Sequence, residues 1–402
     1  MAGPRAVVIG SGIGGLTAAV ALHQSGWQVT VLERAESLEP VGAGIGLAPN
    51  SLRALDVIGL GDEIRDLAAW QGDGGMRTPR GRWIQRMDAS AARERFGGPL
   101  VLVHRATLID RIAAQLPAGV IRTGSPAKLS EPGVTGGRRA VVSTPDGDLE
   151  ADLVVAADGI DSGVRRTLFP EHPGPVYAGL TVWRVVVPAP DRPFEPHETW
   201  GAGAVWGTQP LKDGRIYAYG AAAVPEGQPA PDGEHAEMLR RFGDWHHPIP
   251  AIIAAAEGGP VLRNDVHHMA TPLPAFHRGR TAVIGDAAHA MAPTLGQGGN
   301  QAIEDAVVLA FHATPTADLA TALAGYSADR VPRTTAVVRK AARVARMATV
   351  ANRPVVALRT GLMSVASLFG PGVVLRTFDD IANWRPPQHT YASEPQTPTR
   401  TA

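Results

Sequence analysis

The sequence predicts an α/β fold in which a parallel βαβ half, an antiparallel sheet and a set of C-terminal helices are interwoven in one chain. Three observations predict it. A short apolar strand near the N-terminus runs through a Gly-rich turn into a helix and a second strand. Residues 176–223 show the two-residue alternation of antiparallel strands, and from Tyr326 onward the apolar spacing is helical. At 402 residues the chain is long enough for two or three packed layers.

The first strand, Arg5–Gly10 (RAVVIG), enters Gly10-Ser11-Gly12-Ile13-Gly14-Gly15, then a helix over Leu16–Ser25 and a strand over Gln28–Leu32 that ends in Glu33. This is a Rossmann-like unit with G-x-G-x-x-G at its first turn and an acid at the end of its second strand. Gly10 allows the tight turn, Gly12 admits a pyrophosphate, and Gly15 lets the helix sit close to the sheet. Glu33 would accept hydrogen bonds from ribose hydroxyls and disfavours a 2′-phosphate. The fingerprint by itself fits NAD or FAD.

Further along, Glu33 is followed by Arg34 and by a second Gly-rich segment, Val41–Asn50, that leads into a helix over Ser51–Leu55. Arg105 opens a helix in VHRATLIDRI. A strand over Leu153–Ala157 runs into Asp158-Gly159, with Asp161, Ser162 and Arg165 downstream. Antiparallel strands are expected at Tyr177–Val187, Glu198–Thr208 and Arg215–Ala221, with Lys212-Asp213-Gly214 as a hairpin turn. Alternation puts Trp183 on one face and Val182 with Arg184 on the other, while Tyr217 and Tyr219 share a face.

The segment Thr281–Asp305 is the most informative of all. A buried strand, Thr281–Ile284, ends at Gly285-Asp286 and leads through a loop with Pro293, Gly296, Gln297, Gly298 and Gly299 into a helix over Gln301–His312. Such a loop lets backbone N–H groups approach a ligand, and the helix start adds a positive dipole end.

Three of these motifs, the Gly triplet at Gly10–Gly15, Asp158-Gly159 and Gly285-Asp286, occur in the order found in the FAD-dependent aromatic hydroxylases, the single-component flavoprotein monooxygenases that resemble para-hydroxybenzoate hydroxylase. The chain resembles that family up to about Asn383. The resemblance implies bound FAD, transient NADH or NADPH, and O₂ captured at flavin C4a, with one oxygen passed to an aromatic, heteroaromatic or enolic small molecule. It implies that Gly10, Ser11, Gly12, Gly14, Gly15, Glu33 and Arg34 serve the adenosine and pyrophosphate end. Arg105 and Asp286 are implied for the phosphate and ribityl region, Asp158 and Gly159 for both FAD and the transient nicotinamide cofactor, and Pro293, Gly296, Gly298, Gly299 and Asn300 for the flavin ring. It places His289 beneath the loop rather than in catalysis. Epoxidation, Baeyer–Villiger insertion and dehydrogenation without oxygen transfer remain alternatives on the same scaffold. Halogenation is disfavoured because no Trp-x-Trp-x-Ile-Pro segment occurs.

No second strand–GxGxxG–helix unit is present for a resident nicotinamide, which fits transient docking. On the substrate side, Trp183, Trp200, Trp206, Tyr217 and Tyr219 fall in one segment of a chain with only 5% aromatic residues. Aromatic walls suit an aromatic substrate. Tyr217 is the leading candidate to order a phenol proton, with Tyr219 and His268 behind it, and Arg184 is the candidate to bind a carboxylate or enolate.

Lys+Arg and Asp+Glu are both 38, so no net field suggests nucleic acid or a membrane as partner. Cysteine is absent, which excludes disulfides and thiolate chemistry. His246-His247 and His267-His268 are not expected to bind metal, because adjacent side chains on a strand point apart. With no basic leader the expectation is a cytoplasmic monomer or homodimer. The expected layout is residues 1–175 and 271–385 for FAD and the C-terminal helices, 176–270 for the substrate sheet, and a disordered tail at 386–402. Arg241–Ala256 is expected as a surface helix broken at Pro248. The helix at Pro354–Phe369 is expected to pack or form a subunit interface, and Arg330, Arg333, Arg339, Lys340, Arg343 and Arg346 a solvated basic stripe.

Overall fold

The computed structural model describes residues 3–38, 43–68, 74–87, 89–370 and 375–387. Val41 and Gly42 of the second Gly-rich segment and most of the expected tail lie outside them.

The apolar runs Arg5–Ile9, Gln28–Leu32 and Leu153–Ala156 are rich in β-branched residues and form the centre of a six-stranded sheet. Its order is His277–Arg278, Thr281–Val283, Leu153–Ala156, Arg5–Ile9, Gln28–Leu32, Ile121–Arg122. All neighbours run parallel except the His277–Arg278 edge. Register matters most here: Ile9 lies opposite Ala156, and Ala156 opposite Val283, so three strands end side by side. Between this sheet and the helix Gly298–His312 lies the helix Ile13–Gln24, whose residues Ile13 to Leu22 are all buried. A helix enclosed on both sides has no polar face to show, and IGGLTAAVAL has none.

The second large sheet is antiparallel apart from one parallel pairing. Its order is Leu262–His268, Val176–Pro188, Arg215–Ala222, Ala204–Pro210, His197–Trp200, Gly74–Arg77, Trp83–Met87. The Gly74–Arg77 and Trp83–Met87 strands come from inside the segment that patterning places with the nucleotide half. The single strand expected over Glu198–Thr208 is two, broken by a turn at Gly201-Ala202-Gly203 with Gly203 at φ +71°. The Lys212-Asp213-Gly214 turn is present, with Gly214 at φ +83°.

One face of this sheet carries Trp183, Val185, Ala204, Trp206 and Ala218, and is covered by the helices Glu234–Phe242 and Ile249–Ala255. The segment expected as a surface helix is thus two helices that seal the sheet's back, with Phe242, Ile249, Ile252 and Ile253 fully buried. The opposite face looks toward the nucleotide half. At the C-terminal end, a 30-residue helix, Leu319–Ala348, is capped by Asp318, which accepts the Thr321 N–H, and the helix Arg353–Ser367 follows.

The expected basic stripe is split. Arg330 is buried against Glu304 and Asp305, Arg333 also binds Glu304, and Lys340 binds Asp380, leaving Arg339, Arg343 and Arg346 exposed. The helix Gly298–His312 supplies the two carboxylates that draw the first arginines inward.

Candidate active site

Because the three strands end together, the loops after Ile9, Ala156 and Val283 converge at one carboxyl edge. That is the position where ligands bind in open α/β sheets. Gly10 sits at φ +102°, and a Cβ there would lie 2.4 Å from the Ala157 carbonyl oxygen. A Cβ at Gly15 would lie 2.0 Å from the Gly10 oxygen, so only glycine lets this helix start so near the strand. At Gly12, by contrast, no atom lies within 4 Å of where a Cβ would be, leaving open space for a phosphate to approach the backbone. Gly14 faces Ala302, so its role in this structure is helix-to-helix contact.

Glu33 and Ser11 are already joined: Glu33 Oε2 accepts from the Ser11 N–H at 2.9 Å and its hydroxyl at 2.7 Å, while Oε1 accepts from the Ala35 N–H. Burial opposes ionisation of Glu33, but these hydrogen bonds outweigh it and hold its carboxyl below the ordinary value. It is therefore a fixed anion at the strand end, where a ribose would meet it. The Arg34 side chain is exposed beside it.

Asp158 Oδ2 accepts the Val164 N–H at 3.1 Å, whereas its buried Oδ1 has no partner among the described residues. A buried carboxylate oxygen left unpaired is costly, and a ligand donor would satisfy it. The buried Arg165 guanidinium donates to the carbonyls of Ile160 (2.6 Å) and Ala287 (3.0 Å), tying the Asp158-Gly159 loop to the Gly285-Asp286 loop. Asp286 and Arg105 are both exposed, and neither side chain hydrogen-bonds or pairs with another described residue. An anion and a cation without partners among the described residues suit a ligand with hydroxyls and phosphates. The donor set therefore fits a dinucleotide.

The loop that leads to the helix Gly298–His312 has the shape expected of a flavin-ring cradle. Pro293–Leu295 forms a 3₁₀ turn closed by the Gly296 N–H on the Pro293 carbonyl at 2.9 Å, with Gly296 at φ +62°. The first intrahelical hydrogen bond comes from Gln301, so the amides of Gly298, Gly299 and Asn300 have no partner within the helix. The helix starts three residues earlier than its apolar spacing implies, which puts Gly298 and Gly299 in its first turn.

The Asn300 side chain is spent on structure. Its Oδ1 accepts from the Ala48 N–H and the Ser51 hydroxyl, and its Nδ2 donates to the Gly46 and Gly296 carbonyls. What it offers a ligand is its backbone amide. Beneath it, His289 Nε2 donates to Asp305 Oδ2 at 2.5 Å, and Asp305 also accepts from Arg330 Nε (2.7 Å) and the Gly285 N–H (2.9 Å). His289 is buried and lies under the loop. Burial would raise the Asp305 carboxyl, but the His289 and Arg330 charges bring it down to about 2. This charged knot holds the Gly285 turn from below.

Opposite the loop stands the inner face of the antiparallel sheet. Cross-strand pairing puts Arg184 beside Tyr219, Tyr219 beside Gly207, and Gly207 beside Glu198 on that face. The Tyr217 ring lies against Gly44, where a Cβ would come within 2.5 Å of it, and Tyr219 lies across Gly207. Tyr219 clusters with Met291, Ala292 and Leu295 of the flavin loop, so the two halves meet here.

The Tyr219 hydroxyl donates to Glu198 Oε1 and the Trp200 indole N–H to Glu198 Oε2 at 2.9 Å. The Arg184 charge lies near the Tyr217 phenol, and Arg184 donates to Asn264 Oδ1 at 2.6 Å. Burial pushes the phenols of both Tyr217 and Tyr219 up, and the Glu198 carboxylate raises Tyr219 further. Both are neutral donors at ordinary pH.

The structure thus brings Tyr217 and Arg184 together, and sets Trp183 and Trp206 on the covered face. Alternation does not single out Glu198, because it treats the Gly201-Ala202-Gly203 turn as strand interior. Once that turn is placed, the i, i+2 pair Glu198/Trp200 falls on the inner face.

Comparison with known proteins supplies the chemistry. Residues 5–341 match the family model described as "FAD binding domain". The chain is 35% identical over 368 residues to an aurachin C monooxygenase/isomerase of Stigmatella aurantiaca, covering 91% of this chain and 95% of that one. It is 33% identical over 343 residues to an FAD-dependent urate hydroxylase of Klebsiella pneumoniae, covering 84% and 88%. The crystal structure of Klebsiella pneumoniae HpxO complexed with FAD and uric acid superposes with a TM-score of 0.85 at 28% identity, covering 94% of this chain and 96% of that one. With that family model over most of its length and relatives of this kind at 33–35% identity, the chain belongs to the FAD-dependent aromatic hydroxylase family.

Proposed function

We propose that this monooxygenase hydroxylates an electron-rich aromatic or heteroaromatic small molecule bound flat between the Pro293–Gly299 loop and the inner face of the antiparallel sheet. Bound FAD, reduced by NADH or NADPH, would activate O₂, one atom of which goes to the substrate and the other to water. Arg184, Tyr217, Tyr219 and Glu198 orient the substrate. The observation that carries the reading is the row Arg184–Tyr219–Gly207–Glu198 across four strands, turned toward the loop whose helix amides await a ring.

Each group has a separate task. The Gly298, Gly299 and Asn300 amides would stabilise negative charge on a flavin ring bound against them, by about 0.3–2 kcal/mol per dipole contact. The raised phenol of Tyr217, near the Arg184 charge, donates to or accepts from a substrate hydroxyl. Glu198, fixed by Tyr219 and Trp200, presents a carboxylate that welcomes a ring N–H or O–H and repels a substrate carboxylate. Arg184 is the one cation on this face among the described residues of the row, so an anionic substituent would lie at the Arg184 end and a donor at the Glu198 end.

Purified protein with FAD is tested with candidate phenols and N-heteroaromatics for stimulated NAD(P)H oxidation, and the product of turnover under ¹⁸O₂ is examined for label. Incorporation of one labelled oxygen is expected. An oxidised product without label would replace the reading by a dehydrogenase.

A further inference from the structure

The helix Arg353–Ser367 carries an apolar stripe that no described residue covers. Val355, Leu358, Leu362, Val365 and Phe369 recur at three- and four-residue steps, so they line one side of the helix. Leu358 is 63% exposed, Leu362 62%, and Leu368 and Phe369 at its end 82% and 76%. Its other side is anchored: Arg359 is buried and donates to the Met347 and Gly201 carbonyls, and Met363 packs toward Ile84, Trp200 and Val205. The stripe is thus held outward by contacts on the opposite side. A contiguous exposed patch of this kind marks an interaction surface.

Charge says which kind. From Arg330 to Phe378 the sequence contains no Asp or Glu, although the whole chain is neutral. Arg339, Arg343 and Arg346 on the preceding helix, Arg353 at the start of this one, and Arg376 after it are exposed and form no ion pair with a described residue. The bounding carboxylates are spent: Asp329 on His312, Asp379 on Arg95, and Asp380 on Lys340. Two copies set together through this segment would bring arginines together with no carboxylate between residues 330 and 378 to pair them. An anionic lipid surface answers both features, accepting the Leu and Phe side chains among its acyl chains and the arginines at its headgroups.

We propose that the protein docks peripherally on anionic membranes through the Arg353–Phe369 stripe, lying in the interface plane. No described helix is long and apolar enough to cross a membrane, and in-plane binding needs none. This revises the expectation, drawn from net charge, that a membrane is no partner: the charge is segregated rather than absent. It stands independently of which substrate the enzyme takes.

The test is co-sedimentation of FAD-loaded full-length protein with vesicles of phosphatidylglycerol and phosphatidylcholine, against phosphatidylcholine alone, with light scattering on the free protein. Binding to the mixed vesicles is expected at least tenfold above the neutral ones, and is expected to weaken as salt rises. Leu358→Glu/Leu362→Glu should abolish it and Arg339→Gln/Arg343→Gln/Arg346→Gln should reduce it severalfold, both with bound-flavin absorbance unchanged. Equal sedimentation with and without anionic lipid, or undiminished binding of the Leu358→Glu/Leu362→Glu variant, overturns the proposal. So does a dimer that this variant dissociates, if the native protein ignores vesicles; the stripe would then be a subunit interface.

Discussion

The carboxyl edge of the parallel sheet and the inner face of the antiparallel sheet are built by different means. The first is made of backbone: three strand ends in register, glycines where a Cβ would strike a carbonyl oxygen, and helix amides left unpaired. The second is made of side chains from strands distant in sequence, held in pairs such as Tyr219–Glu198 and Arg184–Asn264. A backbone site tolerates little variation, because Gly10 and Gly15 each answer to a fixed carbonyl and Gly12 to the space a ligand would need. A side-chain site can be rebuilt one residue at a time. One scaffold can therefore keep its cofactor and change its substrate.

The sharpest way to break this contrast is at the glycines. Gly15→Val must push against the Gly10 carbonyl, so loss of both folded yield and bound flavin is expected, read by thermal unfolding and by absorbance of the purified protein. At Gly12 a Cβ would meet no described atom within 4 Å, so Gly12→Val should fold normally yet bind FAD at least tenfold more weakly. A Gly12→Val protein that stays fully yellow would remove the pyrophosphate from this turn.

Next is the knot under the flavin loop. Arg330→Met leaves Asp305 and Glu304 buried without their shared partner and is expected to cost about 3–5 kcal/mol in urea unfolding at pH 7. The Asp305 carboxyl is held at about 2 in the folded state, below its unfolded value of about 3.9. Its contribution is therefore fully present above pH ~4 and lost as pH falls toward ~2. Asp305→Asn, already less stable at neutral pH, should show a shallower decline across that window.

On the substrate side, Glu198→Gln should lower kcat/KM by about tenfold to a hundredfold, the range for a hydrogen bond to a charged group, while leaving the fold intact. Tyr217→Phe should have the smallest effect, about twofold to tenfold, as for a neutral hydrogen bond. Substrate-stimulated NAD(P)H oxidation measures both. If Tyr217→Phe is the more damaging, proton ordering at Tyr217 outweighs positioning by Glu198.

The two regions were also unequally legible. The Gly10–Gly15 turn, Asp158-Gly159 and Gly285-Asp286 are local patterns, and a local pattern dictates local backbone; only their convergence needed the sheet register. The fate of Arg330 was hidden because Glu304 and Asp305 sit on another helix, and a charge on a helix looks solvated until its neighbour is known. Glu198 was hidden by a two-glycine turn inside what alternation reads as one strand. Which face of the sheet looks inward depended on the Glu234–Phe242 and Ile249–Ala255 helices covering the other one.

The division of labour between the two regions is tested most directly by titrating FAD into the apo forms of the native protein, Gly12→Val and Glu198→Gln and following flavin fluorescence. The account predicts FAD affinity at least tenfold weaker for Gly12→Val and within twofold of native for Glu198→Gln. Comparable losses in both variants, or a loss confined to Glu198→Gln, would contradict it.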